Sequence, residues 1–464
     1  MFCSLKYCIR TLSKPSVLTG VRNCSQFTEQ NHSNFGKNGH FDIIIVGGGA
    51  TGISLAGAIA KNPKLSEKKV LLLDASPSFK GYNENVYSNR VYSINHNTVE
   101  LMKYIGAWDT IKSIRIRPVK QMQVWDACSD ALITFNHDNF IGDVAYVVEN
   151  DVLVHSILKE LQPYNNITIR NDAKIDKVIL EQDGSTYGKV QLASGEDFSA
   201  ELLVGADGAN SMVRKQMNAN HFALSYNQMG LIATVELGEC DDNFVAWQRF
   251  LPNSVIALLP LSENLSSIVW STYAKHFKHL MQLDEADFID AVNNAFLQKY
   301  EKNSVVEMAM GAVRTILNTN SSVVRQLPPQ ITGLYGKSRA GFPLGFGHAS
   351  SYVGRGVALI GDAAHRIHPL AGMGLNLGFG DVKCLTETLA KATYNGFALN
   401  DLNHLCEYEQ QRLKLNVPIM LGVHGLQQLY STDLSPVVLA RSIGLQITQQ
   451  VPPLKKFFMQ KAMG

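Results

Sequence analysis

The stretch FDIIIVGGGATGISLAGAIA, Phe41 to Ala60, sets three of the most flexible residues a chain can use between a block of stiff β-branched ones and a helix-forming segment. Glycine loses more backbone freedom on folding than any other residue. Three in succession therefore weaken a structure unless the bend, or something approaching it closely, requires a missing Cβ. Ile43, Ile44, Ile45 and Val46 make a continuous apolar run, as expected of a parallel strand buried on both faces. Gly47, Gly49 and Gly52 then match G-x-G-x-x-G. In that pattern the first glycine permits the tight turn, the second brings backbone close to a pyrophosphate, and the third lets the helix pack on the strand. With 36 glycines in 464 residues, such a match arises by chance roughly 0.2 times per chain, so the surroundings must decide. They agree with the pattern: KKVLLLDASP reads as a second buried strand ending at Asp74, about 20 residues beyond the third glycine, where an acid meets a ribose hydroxyl.

A chain of 464 residues exceeds one ordinary core and suggests two domains, and 45% hydrophobic with 18% charged residues describes a soluble globular protein. A net charge of +2, with no basic cluster interleaved with aromatics, speaks against nucleic-acid binding. No apolar run reaches the roughly 18 residues of a membrane span, so membrane contact is expected to be peripheral. Seven cysteines without a C-x-x-C pair read as reduced thiols, and neither a disulfide framework nor a zinc site is indicated. Lys6, Arg10, Lys14 and Arg22 precede the first acid, Glu29, among serines. This is transit-peptide composition, and residues 1–40 are read as a leader outside the fold.

Residues 41–217 read as the first part of a dinucleotide domain. A polar loop ends near Arg90, a helix runs from about Asn95 to Ile105, and QMQVWDACSDALITFN alternates as a hairpin around Ser129-Asp130. A helix capped by Asn150 or Asp151 follows, then strands near 166–171, 174–181 and 187–193. ELLVGADGANSMVRKQM repeats the strand, small-residue turn and helix. Residues 218–340 read as an inserted mostly-β domain, and 341–400 as the return of the first domain, with a third crossing at GVALIGDAAHRIHPLAGMGLNLGFGD. Residues 401–464 read as helical, with Pro418 kinking the first helix.

Three such crossings with a β-rich insertion narrow the field. The Gly47–Gly52 fingerprint, GADGANSMVR and ALIGDAAHRIHPLAGMGLNLGFGD together resemble the flavin-dependent aromatic hydroxylases of the para-hydroxybenzoate hydroxylase fold. NRVYSINHNTVELMKYIGAWD, YVVENDVLVHSI, RAGFPL and VPPLKKFFMQKAMG look like the ubiquinone-biosynthesis monooxygenases within that group. The resemblance covers almost everything after residue 40 and, with the leader, points to the mitochondrial branch. It implies an α/β fold: a Rossmann-like FAD-binding domain with an inserted mostly-β substrate domain and C-terminal helices. It sets FAD against Gly47, Gly48, Gly49, Ala50, Thr51 and Gly52, with Asp74 and Ala75 at the adenosine ribose and Arg90 on the flavin side. Asp207 and Gly208 fall at the pyrophosphate, Gly361 and Asp362 at the ribityl or pyrophosphate region, and Gly372, Gly374, Leu375 and Asn376 at the flavin ring. Bare helix capping by Asp207 and Asp362 is the competing reading. Met373 departs from the family, whose members commonly carry Gln there. No catalytic base is singled out; His365 and His368 read as packed or loop-satisfying residues rather than a metal or nucleophile site.

The resemblance further implies hydroxylation of the ring of a polyprenylated 4-hydroxybenzoate-derived intermediate by O₂, through a flavin C4a-hydroperoxide. A non-catalytic prenyl-binding carrier and an FAD-dependent polyprenyl reductase or epoxidase stay open beside it. Electrons are expected from a ferredoxin and its reductase, or from NAD(P)H, and other ubiquinone-biosynthesis proteins as partners. The apolar residues Val437, Val438, Leu439, Ile443, Leu445 and Ile447, with Arg441, Lys455, Lys456 and Lys461, make residues 434–464 the expected peripheral anchor on the matrix face of the mitochondrial inner membrane.

Overall fold

The computed structural model describes residues 38–129, 131–136, 142–180, 187–238, 242–300, 306–308, 310–312, 326–451 and 453–456. The leader up to residue 37, Asp130 of the expected hairpin turn and Lys461 of the tail lie outside the described residues.

The apolar run forms the strand Asn38–Val46. It lies parallel to Asp197–Gly205 on one side and Val70–Leu73 on the other. The parallel arrangement continues outward to Val357–Leu359 and Ile167–Arg170. Ile43, Ile44 and Ile45 are wholly buried, because helices cover both faces of a parallel sheet and leave no solvent side for a polar residue to occupy. Ile175–Ile179 and Gly188–Leu192 extend this sheet by antiparallel pairing. The three glycine-rich turns leave the carboxyl ends of Asn38–Val46, Asp197–Gly205 and Val357–Leu359, which are neighbours in the sheet. They therefore meet at one edge, the place where open α/β sheets bind ligands.

The second sheet is built around His221–Leu237, which pairs antiparallel with Leu265–Tyr273 and with Ala340–Ala349. Its membership differs from the linear boundaries at 218 and 340. The hairpin Gln121–Asp126 and Leu132–Asn136 belongs to this sheet, with Gln121–Asp126 running parallel to Val245–Leu251. The reason is non-local: Val245–Leu251 would otherwise present an unpaired edge, and the hairpin that covers it comes from more than 100 positions earlier. Phe288, Val292 and Phe296 of the helix Glu285–Leu297 pack on Trp125, Ile268 and Trp270. That helix is opened by Asp284, whose carboxylate accepts from the Asp287 N–H at 2.9 Å.

Two local expectations need correction. The helix Asn150–Leu161 has Glu149, not Asn150 or Asp151, at its N-cap, and no side chain caps it. The buried Glu149 carboxylate instead pairs with Arg115 and accepts from the Ser88 N–H, fastening the loop before Arg90. Arg441, read as a surface cation, is buried: it donates to both Asp126 carboxylate oxygens at 2.9 and 3.2 Å and to the carbonyls of Leu429 and Thr432. It fastens the helix Ser435–Gln450 to the hairpin strand Gln121–Asp126 and to the end of the preceding helix, Leu402–Tyr430, which runs without interruption through Pro418.

Candidate functional site

At the first turn the glycines divide by what a side chain would meet. Gly47 has φ +110°, and a Cβ there would sit 2.4 Å from the Ala206 carbonyl oxygen; one at Gly52 would sit 1.9 Å from that of Gly47. One at Gly48 would collide with Asp74 at 2.4 Å from Oδ2, whereas one at Gly49 would meet nothing within 4 Å. Ala50 is the buried first residue of the helix Ala50–Lys61. Asp74 stands at the end of its strand, its Oδ1 accepting from Ser76 N–H at 2.9 Å while Ala75 is exposed. Strand, turn, helix and acid thus occupy one corner, with open space over Gly49.

At the second turn Asp207 Oδ2 accepts from Met212 N–H at 2.6 Å, the helix-capping role weighed against it. Its Oδ1 is buried without a partner in the protein. Gly208 has φ +78°, and a Cβ there also meets nothing within 4 Å. A buried carboxylate oxygen without a donor in the protein calls for one from outside the chain, such as a water or a bound molecule.

The third turn is held from behind. Gly361 has φ +59° and packs against Thr51, so the first and third turns touch. Asp362 reaches the cleft; crowding by protein raises its carboxyl pKa against the pull of His365, Arg366 and Arg90. Arg90 is exposed at the same cleft, 5.8 Å over the Tyr92 ring. Beneath them Asp381 is fully buried and accepts from Gly361 N–H at 2.9 Å, His365 Nε2 at 2.6 Å, Arg412 Nε at 2.7 Å and Asn416 Nδ2 at 3.2 Å. Burial alone would raise its pKa, but these donors outweigh it and hold the carboxyl below its ordinary value. Gly380 makes room for the arrangement, since a Cβ there would lie 2.6 Å from Arg412 Nη2.

The chain then turns through Pro369–Ala371 into Gly372, at φ +59°, and the helix Gly374–Tyr394. His368 Nδ1 accepts from Leu370 N–H at 3.3 Å and its Nε2 faces Gln228 Oε1 at 3.2 Å. Those partners define a neutral ring with its proton on Nε2, and burial lowers its pKa to about 4. Asn376 donates to the carbonyls of Ser93 and Gly372 at 2.8 and 3.1 Å and accepts from Asn95 N–H and Thr98 Oγ1 at 3.0 and 2.7 Å. Its side chain is thereby engaged within the protein. Met373 is buried, Leu375 packs against the core around the parallel sheet, and Gly374 has room around it.

The structure brings all these predicted residues to one edge of the parallel sheet and its flanking loops. Sequence reasoning missed Asp381, Arg412 and Asn416, and placed His365 without its partner. The signal available was GFGD, where Gly378 and Gly380 flank a helix face and precede a buried acid. Among the described residues no cluster suits a metal ion, and no helix is long and apolar enough to cross a membrane.

Residues 40–323 and 345–419 match the family described as FAD binding domain. The mitochondrial ubiquinone biosynthesis monooxygenase COQ6 of Drosophila melanogaster is 52% identical over 460 residues, covering 98% of this chain and 95% of its own. The chain belongs to the ubiquinone-biosynthesis monooxygenase family. The human member is 42% identical over 430 residues, 90% of this chain and 92% of its own. The fold is also that of a probable FAD-dependent monooxygenase, PqsL of Pseudomonas aeruginosa, at a TM-score of 0.66 and 19% identity over 87% of this chain and all of the other. Klebsiella pneumoniae HpxO complexed with FAD and uric acid gives a TM-score of 0.64 at 17% identity, over 91% of this chain and 97% of the other. The ubiquinone-biosynthesis monooxygenase described here is an FAD-dependent aromatic hydroxylase, and a mitochondrial one.

Proposed function

We propose that this monooxygenase hydroxylates the aromatic ring of a polyprenylated, 4-hydroxybenzoate-derived intermediate. The observation that carries the reading is the meeting of three strand-end turns at one edge, where Gly49 and Gly208 open onto free space and a buried Asp207 oxygen lacks a donor. These features fit FAD. Backbone N–H groups from Gly48 to Gly52, at the helix start, would hold the pyrophosphate, the Gly47 N–H being taken by the Leu73 carbonyl at 2.8 Å, and Asp74 would take the adenosine ribose. Asp207 Oδ1 needs a donor, which a cofactor hydroxyl supplies and a phosphate does not; this favours a sugar-like stretch over the pyrophosphate beside it. Gly361 and Asp362 would line the same stretch, with Arg90 on the flavin side. Backbone N–H groups at the start of Gly374–Tyr394 present about half a positive charge, suited to the negative charge a reduced flavin ring carries. FAD, when bound, supplies the electron transfer and dioxygen activation. The protein's part is to fix that cofactor, exclude water and hold the phenol at its side.

Electrons come, in this reading, from a ferredoxin and its reductase. Reduction of the bound flavin by NADPH alone, at the turnover rate, would contradict it. Peripheral attachment to the matrix face of the inner membrane, in company with other ubiquinone-biosynthesis proteins, follows from the substrate. A prenyl tail is held in a bilayer by roughly 0.8 kcal/mol per CH₂. Mass analysis of the precursor accumulated by cells lacking this chain tests the substrate: a prenylated ring short of one oxygen is expected. A complete ring with an altered chain would sink the reading in favour of polyprenyl reductase or epoxidase chemistry.

A further inference from the structure

The outward side of the two C-terminal helices has a composition that a water-exposed surface rarely has. Along Leu402–Tyr430 the first turns are polar: Gln410 and Gln411 are exposed, and Glu407 pairs with Lys391 at 2.7 Å. After Lys414 the exposed positions change to Leu415, Pro418, Leu421, Gly422, Leu426 and Leu429, with Gln428 the one polar residue among them. Leu421 is 58% exposed and Leu434, in the turn that follows, 63%. On Ser435–Gln450 and just past its end the exposed positions are Pro436, Ala440, Gly444, Ile447 and Val451, again without a charge. A helix on a soluble surface shows charged and polar residues there, and a contiguous apolar face of this kind marks an interaction site.

The inward side of the same helix closes the site. Met420 packs with Tyr226, Leu344 and Phe346, and Val423 and Tyr430 pack with Leu370 of the turn that leads to Gly372. Tyr226 hydroxyl and His424 Nδ1 are hydrogen-bonded at 2.9 Å, and the Tyr226 ring meets His368 edge-on at 5.2 Å. The apolar outer face is thus separated from the residues beside the flavin-facing turn by one helix diameter, about 10 Å. Apolar surface also continues onto the second sheet. Phe222, 64% exposed, meets Phe346 at 5.9 Å, and Phe346 meets His424 at 5.5 Å.

Charge selects the occupant. Asp433, exposed beside Leu434, is the only acid between Gln410 and Gly464, while exposed Lys414 comes just before Leu415 and exposed Lys456 just after Val451 along the chain. Leucines flanked by lysines suit an anionic lipid surface, apolar side chains entering the acyl boundary and ammonium groups meeting headgroup phosphates. We propose that the outer face of the helix pair, from Leu415 to Val451, seats on an anionic bilayer. The hydroxylation site then lies one helix from the lipid, so a prenyl tail stays in the membrane while its ring reaches the flavin-facing turn. The second half of this statement rests on the substrate reading above. Docking is by apolar insertion along the helices; the buried Arg441 takes no part in it.

The test uses full-length, FAD-loaded protein and flotation with phosphatidylcholine vesicles, with and without cardiolipin. The wild-type protein should float, more so with cardiolipin. The double substitution Leu421→Glu and Leu426→Glu, at two exposed positions, should keep its FAD and its turnover of a tail-less phenol in solution. Its vesicle binding should fall by at least about tenfold. Equal flotation of the double variant overturns the proposal. So does a wild-type protein that ignores vesicles but self-associates in light scattering through a contact that the double variant loses, since the face would then be a protein interface. Flotation is read without turnover, so failure of both proteins to hydroxylate a ring would count against the substrate reading and leave the docking result standing.

Discussion

The first and third strand-end crossings do the same job by different means. Between Val46 and Ala50 the backbone conformation is enforced by absence: side chains at Gly47, Gly48 or Gly52 would strike Ala206, Asp74 or Gly47 itself. Between Leu359 and Asn376 it is enforced by presence: Asp381, His368 and Asn376 hold the turns at Gly361 and Gly372 with side-chain hydrogen bonds. Sterics hold at any pH, whether the neighbour struck is Gly47 itself or Asp74 and Ala206 farther along the chain. A hydrogen-bonded network titrates, and it depends on residues from the rest of the chain.

Asp381→Ala should have the largest effect, since it leaves Arg412 and the Gly361 N–H buried without their acceptor. A loss of about 3–5 kcal/mol is expected in urea unfolding; a loss below 1 kcal/mol would show the third turn is not held this way. Acid should act on the third crossing before the first. His368 has its pKa lowered to about 4, so the unfolded chain binds the extra proton first, and stability should fall from about pH 6.5 towards pH 4 by up to about 3 kcal/mol. Asp381, with a depressed pKa, adds a loss only below the ordinary carboxylate range, as pH drops through its folded value. His368→Gln should flatten the upper part of the urea-midpoint profile; an unchanged slope there would assign the acid sensitivity elsewhere.

In the first crossing Gly52→Ala, with its Cβ 1.9 Å from a carbonyl oxygen, should destabilise by about 1–3 kcal/mol through forced separation of helix and strand. Gly49→Val is the sharper partner experiment, because a Cβ there meets no protein atom within 4 Å. Because Gly49 is the N-cap of Ala50–Lys61, urea stability without cofactor should fall by only about 1 kcal/mol, while FAD binding is abolished. A yellow, fully active Gly49→Val protein would show that the open space is not the cofactor's.

The same contrast explains what could be read from the sequence. Gly47, Gly49, Gly52 and Asp74 were legible because a buried strand, a tight turn and a helix impose their requirements within a few residues. Asp381 was not: its donors lie at Gly361, His365, Arg412 and Asn416, and no local pattern ties them together. Arg441 was misread because charge alone suggests exposure; only the fold shows Asp126 waiting for it. The hairpin Gln121–Asp126 was legible as a hairpin and not as part of the second sheet, since its parallel neighbour Val245–Leu251 is remote in the chain. Asn376 sat in the right motif, yet its side chain turned out to staple the helix start to Ser93 and Asn95.

Loaded with FAD, this monooxygenase puts one atom of dioxygen on an aromatic ring. The most direct measurement supplies the purified holoprotein with a reductant, a prenylated phenol in vesicles and isotopically labelled dioxygen, and follows the ring by mass spectrometry. One labelled oxygen on the ring is the predicted result. Flavin that is bound and reduced, with a ring left unchanged or oxygenated from water, would contradict it.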